Sequence, residues 1–198
     1  QGKDFIVMYG ATEATARMSY VPRAFAVEKA GSIGIAIPGG RFELIDEAGK
    51  IIENEDTIGE LIYYGKNVTL GYAESGEDLS KPDEFCGRLA TGDIAKRDSD
   101  GYYYIIGRKK RFLKLYGNRI NLMEVEEILK QHGYESACLG EDDHMRIFTV
   151  SESTNKVHDF VSALTSINRS AFEVIHIDRL PRNGSGKVIY SELQERVE

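Results

Sequence analysis

Four short stretches that combine glycine with polar side chains carry the chemically capable residues of this sequence. A packed core needs neither residue type, whereas glycine lets the backbone approach a ligand and polar groups can then hold that ligand. The stretches are residues 9–13, residues 59–72, residues 91–93 with the later pair 107–108, and residues 181–187. We therefore take them as the candidate binding segments.

The first stretch directly follows an apolar run, residues 5–9, whose β-rich composition predicts a buried strand. Thr12 and Glu13 supply groups that suit a phosphate and a hard metal ion. Taken alone, a polar turn is the simpler interpretation. Because no cap or polar lead precedes the strand, we expect that a segment which should come before it is missing from the chain.

The third stretch places Asp93 directly after Thr91 and Gly92, which predicts a tight turn. A carboxylate in that place suits two hydrogen bonds from ribose hydroxyls. The alternative is an aspartate that satisfies its own turn. The second stretch, residues 59–72, contains no obviously catalytic group and predicts a strand, a turn and a short helix.

The fourth stretch is a glycine-rich loop that ends in Lys187, a composition that indicates phosphate binding. It is not a Walker P-loop, because Pro181 stands where the first glycine should be and Val188 replaces Ser or Thr. The alternative is a flexible surface loop with a solvated lysine.

The composition of the 198 residues is that of an ordinary soluble globular protein. Lys and Arg number 25 and Asp and Glu number 32, so the net charge is −7, which weighs against broad nucleic-acid binding. No apolar run approaches the roughly 20 residues of a membrane helix, and no secretion signal is recognisable. Cys86 and Cys138 match no metal spacing, so we expect a cytoplasmic location.

The elements that must position these stretches change character along the chain. Residues 31–106 predict short strands joined by turns, as in a small barrel or sandwich, and the later residues predict both strands and helices. The strands are expected at 41–46, 59–64, 102–106, 134–139, 146–150 and 172–177. Helices are expected from Leu122 with Asn121 as cap, around Val157, and from Ser191. The whole is α+β, with a boundary near residues 108–110.

Taken in order, five motifs resemble those of the adenylate-forming superfamily, which comprises acyl-CoA synthetases, the adenylation domains of peptide synthetases, and luciferase. They are Tyr-Gly-x-Thr-Glu, Gly-Glu-Leu…Gly-Tyr, Thr-Gly-Asp, Gly-Arg-x-Lys…Lys-x-x-Gly-x-Arg-Ile and Pro-x-x-x-x-Gly-Lys, between Tyr9 and Lys187. The resemblance implies that residues 1–108 are the β-rich C-terminal part of the large AMP-binding domain. Residues 109–198 would be its small, mobile α+β lid.

The resemblance also implies roles for residues of the first part. Glu13 matches the residue that coordinates Mg²⁺, next to a threonine that contacts phosphate. Asp93 matches the aspartate that holds the ribose hydroxyls of ATP, helped by Arg108. The residues implied in nucleotide binding are Tyr9, Gly10, Thr12, Asp93 and Arg108.

In the second part, Lys110 matches the hinge residue between the large domain and the lid. Gly117 matches the glycine beside the tunnel for the pantetheine arm of coenzyme A. Lys187 matches the catalytic lysine that completes the adenylation site, where its charge offsets the repulsion between a carboxylate and a triphosphate. The basic run 108–111 is interpreted as a solvated surface, as a nucleic-acid or nuclear-localisation patch, or as hinge and contacts near the phosphates of coenzyme A.

The implied reaction joins a small carboxylic acid of fatty-acid or aromatic-acid metabolism to coenzyme A, through an acyl-AMP formed from Mg·ATP. The alternatives are a carrier-protein phosphopantetheine as acceptor, or a non-catalytic split subunit. Two departures from the family pattern stand out. Residues 167–172 lack the proline usual there, and the family's phosphate loop and most of its acyl pocket are absent. We therefore expect a fragment that is inactive alone and needs the N-terminal part of the adenylation domain.

Overall fold

The computed structural model describes residue 3 and residues 5–196. The chain divides into two compact units, residues 1–109 and residues 110–198. Strands dominate the first unit, whereas the second combines two small sheets with all three α-helices of the described residues. The α+β class predicted from the sequence is confirmed.

Two antiparallel sheets make up the first unit. One contains the short strands β1 (Met8–Tyr9), β2 (Ser19–Tyr20) and β3 (Ile35–Ala36). The other is a meander of β4 (Arg41–Ile45), β5 (Gly59–Tyr64), β6 (Arg88–Arg97) and β7 (Tyr103–Arg108), paired in chain order. The Ile33 amide donates to the Tyr103 carbonyl at 2.9 Å and Gly34 bridges to the same residue, so the chain before β3 joins the far edge of the meander.

The core of the first unit forms around an aromatic cluster on the inner face of the meander. The Phe42 ring lies 5.3 Å from the Tyr63 ring and 5.1 Å from the Tyr103 ring, measured between centroids. Leu44 and Leu61 are buried beside them. Alternation of apolar with polar residues along β4 puts Phe42 and Leu44 on one face. Leu61 and Tyr63, two residues apart in β5, share that face, and the isoleucine between them is buried as well.

The strand predicted over residues 5–9 is wrong in extent and in burial. Only Met8–Tyr9 forms a strand, and 75% of the Phe5 surface and 49% of the Ile6 surface remain exposed. This strand pairs with β2 on one side, and in the described part of the chain its other edge has no partner. Within the described residues, Phe5, Ile6 and Met8 therefore remain exposed despite their apolar side chains.

The tight turn predicted at residues 91–93 is also wrong, because these residues lie inside β6. Ala90 pairs with Ile62 and Ile94 pairs with Glu60, so three residues of β6 face the single residue Leu61. Gly92, with φ of 70°, provides the left-handed backbone that this bulge requires. A glycine between two polar residues therefore marks a bulge within a strand here.

The second unit begins with a hairpin of β8 (Phe112–Leu115) and β9 (Asn118–Asn121) that leads into α1 (Leu122–Gln131). A three-stranded sheet follows, with β10 (Ser136–Glu141) antiparallel to β11 (His144–Thr149) and β12 (Phe172–His176) parallel to β11. Helix α2 (Thr154–Thr165) connects the two parallel strands, and α3 (Tyr190–Gln194) ends the unit.

Both long helices turn an apolar face toward a common core. The Asn121 side chain caps α1 by accepting from the Met123 amide, as its position before Leu122 predicts. Helix α1 buries Leu122, Val125 and Leu129, and α2 buries two valines, Val157 and Val161. Within the described residues, no helix has the length and apolar character that crossing a bilayer demands.

Candidate functional site

A buried carboxylate with two partners forms the centre of the candidate site in the first unit. Asp93 is only 3% exposed, although it occupies the bulge of β6. Its Oδ1 atom pairs with Arg108 Nε at 2.6 Å, and its Oδ2 atom accepts a hydrogen bond from the Tyr9 hydroxyl. The pairing of β6 with β7 sets Asp93 directly opposite Arg108, and β1 supplies Tyr9.

The contacts of this aspartate differ from those expected of a residue that stabilises its own turn. The bulge is held by Thr91, whose hydroxyl donates to the Leu61 carbonyl at 2.8 Å and accepts from the Asp93 amide at 3.1 Å. The carboxylate is therefore left for partners outside the bulge. A carboxylate offers about four lone-pair directions, so Asp93 keeps acceptor capacity beyond Tyr9 and Arg108.

Tyr9 acts as a donor to this carboxylate over the whole physiological pH range. Burial raises the pKa of its phenol well above the usual value, and the hydrogen bond to Asp93 and the negative charge of that residue raise it further. The phenol therefore stays protonated beside the carboxylate. Tyr9 and Arg108 together compensate the burial of one negative charge.

The neighbouring pair Thr12 and Glu13 lies in a short 3-10 turn, Thr12–Ala14. Thr12 is exposed, and the Glu13 carboxylate accepts a hydrogen bond from the Tyr72 hydroxyl at 2.8 Å. That hydrogen bond is the largest cause of a raised pKa at Tyr72. Tyr72 was not expected in the site. Its place in the Gly-Tyr motif is the sequence signal that could have indicated it.

The donor set for a metal ion is small in the described part of the chain. No group of three or more His, Cys, Asp or Glu side chains comes together there. Mg²⁺ commonly takes only one or two protein carboxylates and completes its coordination with water and substrate phosphates. The single carboxylate of Glu13 therefore fits Mg²⁺ that is shared with a phosphate ligand, and does not fit a metal held by protein alone.

Gly10 has a structural reason to be glycine. A Cβ atom built there would lie 3.1 Å from both the Ala16 carbonyl oxygen and the Arg17 Cα atom. The backbone after β1 thus passes close to the returning chain. This close approach brings residues 9–13 beside β2, independent of any ligand.

The remaining candidate residues belong to the second unit or to its first turn. Lys110 is exposed in the 3-10 turn Lys109–Arg111. Gly117 lies at the tip of the β8–β9 hairpin, where Tyr116 has φ of 48° and Gly117 φ of 82°. Two positive φ values in succession characterise a type I′ hairpin turn, which favours glycine at the second position.

Lys187 is exposed at the end of a loop whose backbone is well hydrogen-bonded. The Asn183 side-chain oxygen accepts from the amides of Ser185 and Lys187, both at 3.0 Å. The Asn183 amide in turn donates to the Lys187 carbonyl at 2.9 Å. Arg182 donates to the Gly186 carbonyl at 2.7 Å and to Glu135 at 2.8 Å. These contacts give the backbone of the loop a defined shape, while the Lys187 side chain is exposed, as the alternative of a surface loop with a solvated lysine also expects.

Comparison with known proteins gives consistent matches. Residues 1–73 match the family described as AMP-binding enzyme. Oxalate–CoA ligase from Arabidopsis thaliana is 31% identical, with 94% of this chain and 38% of that protein covered. A long-chain-fatty-acid–CoA ligase from Yersinia pestis is 30% identical, with 98% and 36% covered. ATP-bound MatB from Rhodopseudomonas palustris matches with a TM-score of 0.69 and 26% identity, with 96% of this chain and 40% of that chain covered.

The matches to the two ligases and to MatB extend through both units of the chain. The chain spans about two fifths of the length of the relatives, 38% and 36% for the two ligases. Nearly all of the chain is aligned, and the aligned part includes the buried Asp93 cluster and the Lys187 loop. In sequence and in fold, the chain belongs to the adenylate-forming superfamily of AMP-binding enzymes.

Proposed function

We propose that this chain is part of an AMP-forming ligase that joins a carboxylic acid to coenzyme A. The observation that carries the proposal is the buried Asp93 carboxylate, held between Tyr9 and Arg108 with acceptor capacity left over, in a chain whose relatives are CoA ligases. A nucleoside presents two adjacent ribose hydroxyls, and one carboxylate can accept from both of them.

The residues of the first unit would bind and orient ATP. Asp93 accepts from the ribose hydroxyls, while Arg108 and Tyr9 hold the carboxylate in place. Gly10, whose close approach to the chain at Ala16 and Arg17 sets the path of residues 9–13, would place this segment beside the nucleotide, with Thr12 facing the phosphates. Glu13 would hold Mg²⁺, which offsets the negative charge of the phosphates when it is bound.

The residues of the second unit would act on the reacting groups. Lys187 places an ammonium group where negative charge builds up as a substrate carboxylate attacks the α-phosphorus. A P–O bond forms, the bond to pyrophosphate breaks, and acyl-AMP results. A thiolate then attacks the acyl carbon and AMP leaves as a thioester forms.

We also propose distinct roles for the two units. Residues 1–108 would be the β-rich end of the large AMP-binding domain, and residues 109–198 a lid that turns about Lys110 between the two steps. Gly117 would then lie beside the tunnel for the pantetheine arm. Completing the site would require an N-terminal part of the adenylation domain, which supplies the phosphate loop and most of the acyl pocket.

Coenzyme A is the acceptor that we favour over a carrier protein. The relatives described above are named CoA ligases, and Lys110 with the short loop 182–187 resembles acyl-CoA synthetases more than peptide-synthetase domains. We place the reaction in the cytoplasm, because both Cys86 and Cys138 are free thiols.

The proposal is tested on the complete protein with a panel of carboxylic acids. We expect acid-dependent exchange of pyrophosphate into ATP, followed by formation of an acyl-CoA that mass spectrometry detects. A matched reaction with a holo-carrier protein in place of coenzyme A identifies the acceptor. No acid-dependent exchange across aliphatic, aromatic and dicarboxylic acids would refute the proposed activity.

A further inference from the structure

A compact polar cluster lies inside the second unit, and of its members only Arg111 belongs to a segment considered above, the basic run 108–111. It consists of Arg111, Glu126 and Tyr190, and we call it the Arg111 cluster. Arg111 Nη2 pairs with Glu126 Oε1 at 2.5 Å, and the two side chains are only 14% and 16% exposed. The Tyr190 hydroxyl lies 3.1–3.2 Å from both carboxylate oxygens of Glu126.

The cluster is tied to the sheet as well as to itself. The Cys138 amide of β10 donates to Glu126 at 2.6 Å, and Arg111 Nη1 donates to the Cys138 carbonyl at 2.8 Å. The guanidinium also stacks on the Tyr190 ring, 4.2 Å from its centroid. Glu126 thus has three partners, the Arg111 guanidinium, the Cys138 amide and the Tyr190 hydroxyl.

The members come from three separate parts of the second unit. Arg111 directly follows Lys110, the candidate hinge, and Glu126 lies in the middle of α1. Tyr190 is the first residue of α3 and follows Lys187 by three residues. The cluster thus connects the segment after the hinge with the segment after the candidate catalytic lysine.

The loop that carries Lys187 is anchored close to this connection. The Ile189 amide donates to the Pro181 carbonyl at 2.9 Å and Val188 forms a β-bridge with Arg182, which closes the base of the loop. Tyr190 follows immediately and fixes the end of that base on Glu126. Displacement of Tyr190 would therefore displace the base of the loop.

The half-buried ion pair of Arg111 and Glu126 contributes little net free energy to folding, because both charges must be desolvated. Apolar residues of similar volume are often equally stabilising, because burying two charges costs much of what their attraction returns. The value of the pair lies in its geometry, since a planar guanidinium that pairs with Glu126, donates to the Cys138 carbonyl and stacks on Tyr190 admits one arrangement of its partners. Burial and the charge of Glu126 raise the pKa of Tyr190 to about 12, so its hydroxyl remains a donor.

We propose that the Arg111 cluster is a positioning element that fixes the Lys187 loop relative to the segment after Lys110, so that turning the hinge delivers the lysine to one defined place. The inference rests on the proposed function, in which Lys187 serves adenylation. Arg111, Glu126 and Tyr190 act through Lys187 and contact no substrate.

Two variants of the complete protein test this role. Glu126→Gln removes the charge and keeps the shape, and Tyr190→Phe removes one hydroxyl and keeps the ring on Arg111. We expect Glu126→Gln to slow acyl-AMP formation about tenfold, less than the roughly hundredfold that a 1 Å misplacement costs. The Michaelis constant for ATP and the rate of thioester formation from preformed acyl-AMP should stay within about twofold.

The controls make the same chemical changes at other residues of the second unit. Glu127→Gln alters the next, exposed residue of α1, and Tyr134→Phe removes a hydroxyl from another tyrosine of this unit. Both should keep the parent rate. In a Lys187→Ala background, Glu126→Gln should cause no further loss of adenylation. An equal loss in both backgrounds would show a purely structural role and overturn the inference.

Hydrogen exchange separates this inference from the proposed function. Glu126→Gln should speed amide exchange both in residues 183–187 and in residues 111–115, whereas Glu127→Gln should change neither. Faster exchange confined to residues 190–194 would overturn the positioning role, whatever reaction the protein catalyses. The parent protein could instead show no acid-dependent exchange of pyrophosphate into ATP, while Glu126→Gln still speeds amide hydrogen exchange in both segments. That result would overturn the proposed activity and leave the structural coupling between the two segments standing.

Discussion

The Asp93 carboxylate is almost fully buried, and two residues from distant parts of the first unit compensate its charge. Tyr9 precedes it by 84 residues, and Arg108 reaches it across the β6–β7 ladder. Such an arrangement holds the two oxygens in a fixed orientation. A ligand with two adjacent hydroxyls then finds its acceptors already aligned, which lowers the entropy cost of binding.

We expect Asp93→Asn in the complete protein to weaken the binding of ATP without weakening the binding of the acid. Each hydrogen bond to a charged group is worth about 1.5–3 kcal/mol, so the Michaelis constant for ATP should rise roughly 10- to 100-fold. The Michaelis constant for the carboxylic acid should change little. Steady-state kinetics with each substrate varied in turn measures both constants. An unchanged Michaelis constant for ATP would show that Asp93 has a structural role and does not bind the ribose.

Lys187 should matter for one half-reaction and not for the other. Lys187→Ala removes a donor directed at the developing charge, which typically costs roughly 10²–10³ in rate. Acyl-AMP formation should fall accordingly, and thioester formation from preformed acyl-AMP and coenzyme A should remain near the parent rate. If both fell together in a protein with an unchanged circular dichroism spectrum, the assignment of Lys187 would be wrong.

At the scale of elements, the strands differ in how well the sequence reveals them. Strand β4 alternates buried with more exposed residues, and β5 carries a short apolar run, so both strands are readable from the sequence. Strand β6 escapes prediction because its bulge places Gly92 between polar residues, as a turn would. The resemblance places Arg108 beside Asp93. The contacts of Tyr9 with that aspartate and of Tyr72 with Glu13 escape prediction, since only the folded chain brings these residues together.

A buried lysine ties an irregular segment to the β6–β7 turn. Lys29 Nζ lies 3.0 Å from Asp98 and 2.5 Å from Asp100. Burial tends to raise the pKa of Asp98, but the Tyr102 amide and Lys29 outweigh it and hold that pKa below its usual value near 3.8. The contact thus stabilises the fold above about pH 4 and loses that effect as the pH falls through the lowered pKa.

Lys29→Met should therefore lower the melting temperature of the 198-residue chain at pH 7 by about 2–4 °C, the shift that loss of one net hydrogen bond produces at this size. The difference from the parent should shrink as Asp98 becomes protonated. Calorimetry at pH 7 and near pH 3 measures both values, with the exposed Lys66→Met as control. A pH-independent difference would mean that Asp98 is not the partner that matters.

The turn Lys109–Arg111 is the element on which the proposed lid movement depends. Proline fixes φ near −65° and so favours one state of a hinge. We expect Lys110→Pro in the complete protein to impair one half-reaction at least tenfold more than the other, and Lys110→Ala to spare both. Comparable losses in the two half-reactions would show that Lys110 is only an exposed charge.

For the whole molecule, the fraction of its relatives' length that the chain spans bears on whether the chain is active alone. It spans about two fifths of the two CoA ligases described above. In the proposed function, the donors for the β- and γ-phosphates come from a loop outside the present sequence. The 198-residue chain should thus bind adenosine nucleotides weakly and catalyse no ATP–pyrophosphate exchange with any carboxylic acid. Robust turnover by the purified chain would contradict the proposed division of roles.

The β-bridge between Gly34 and Tyr103 makes the sheets of the first unit complete later during synthesis, relative to their own first strands, than those of the second unit. In the second unit each strand pairing closes a loop of at most a few tens of residues, so its sheets can form soon after their strands are synthesised. The first unit must wait for about 70 further residues before its early segment finds the far edge of the meander. During that delay an unpaired strand edge is open to other nascent chains, and this interval is where aggregation competes with folding.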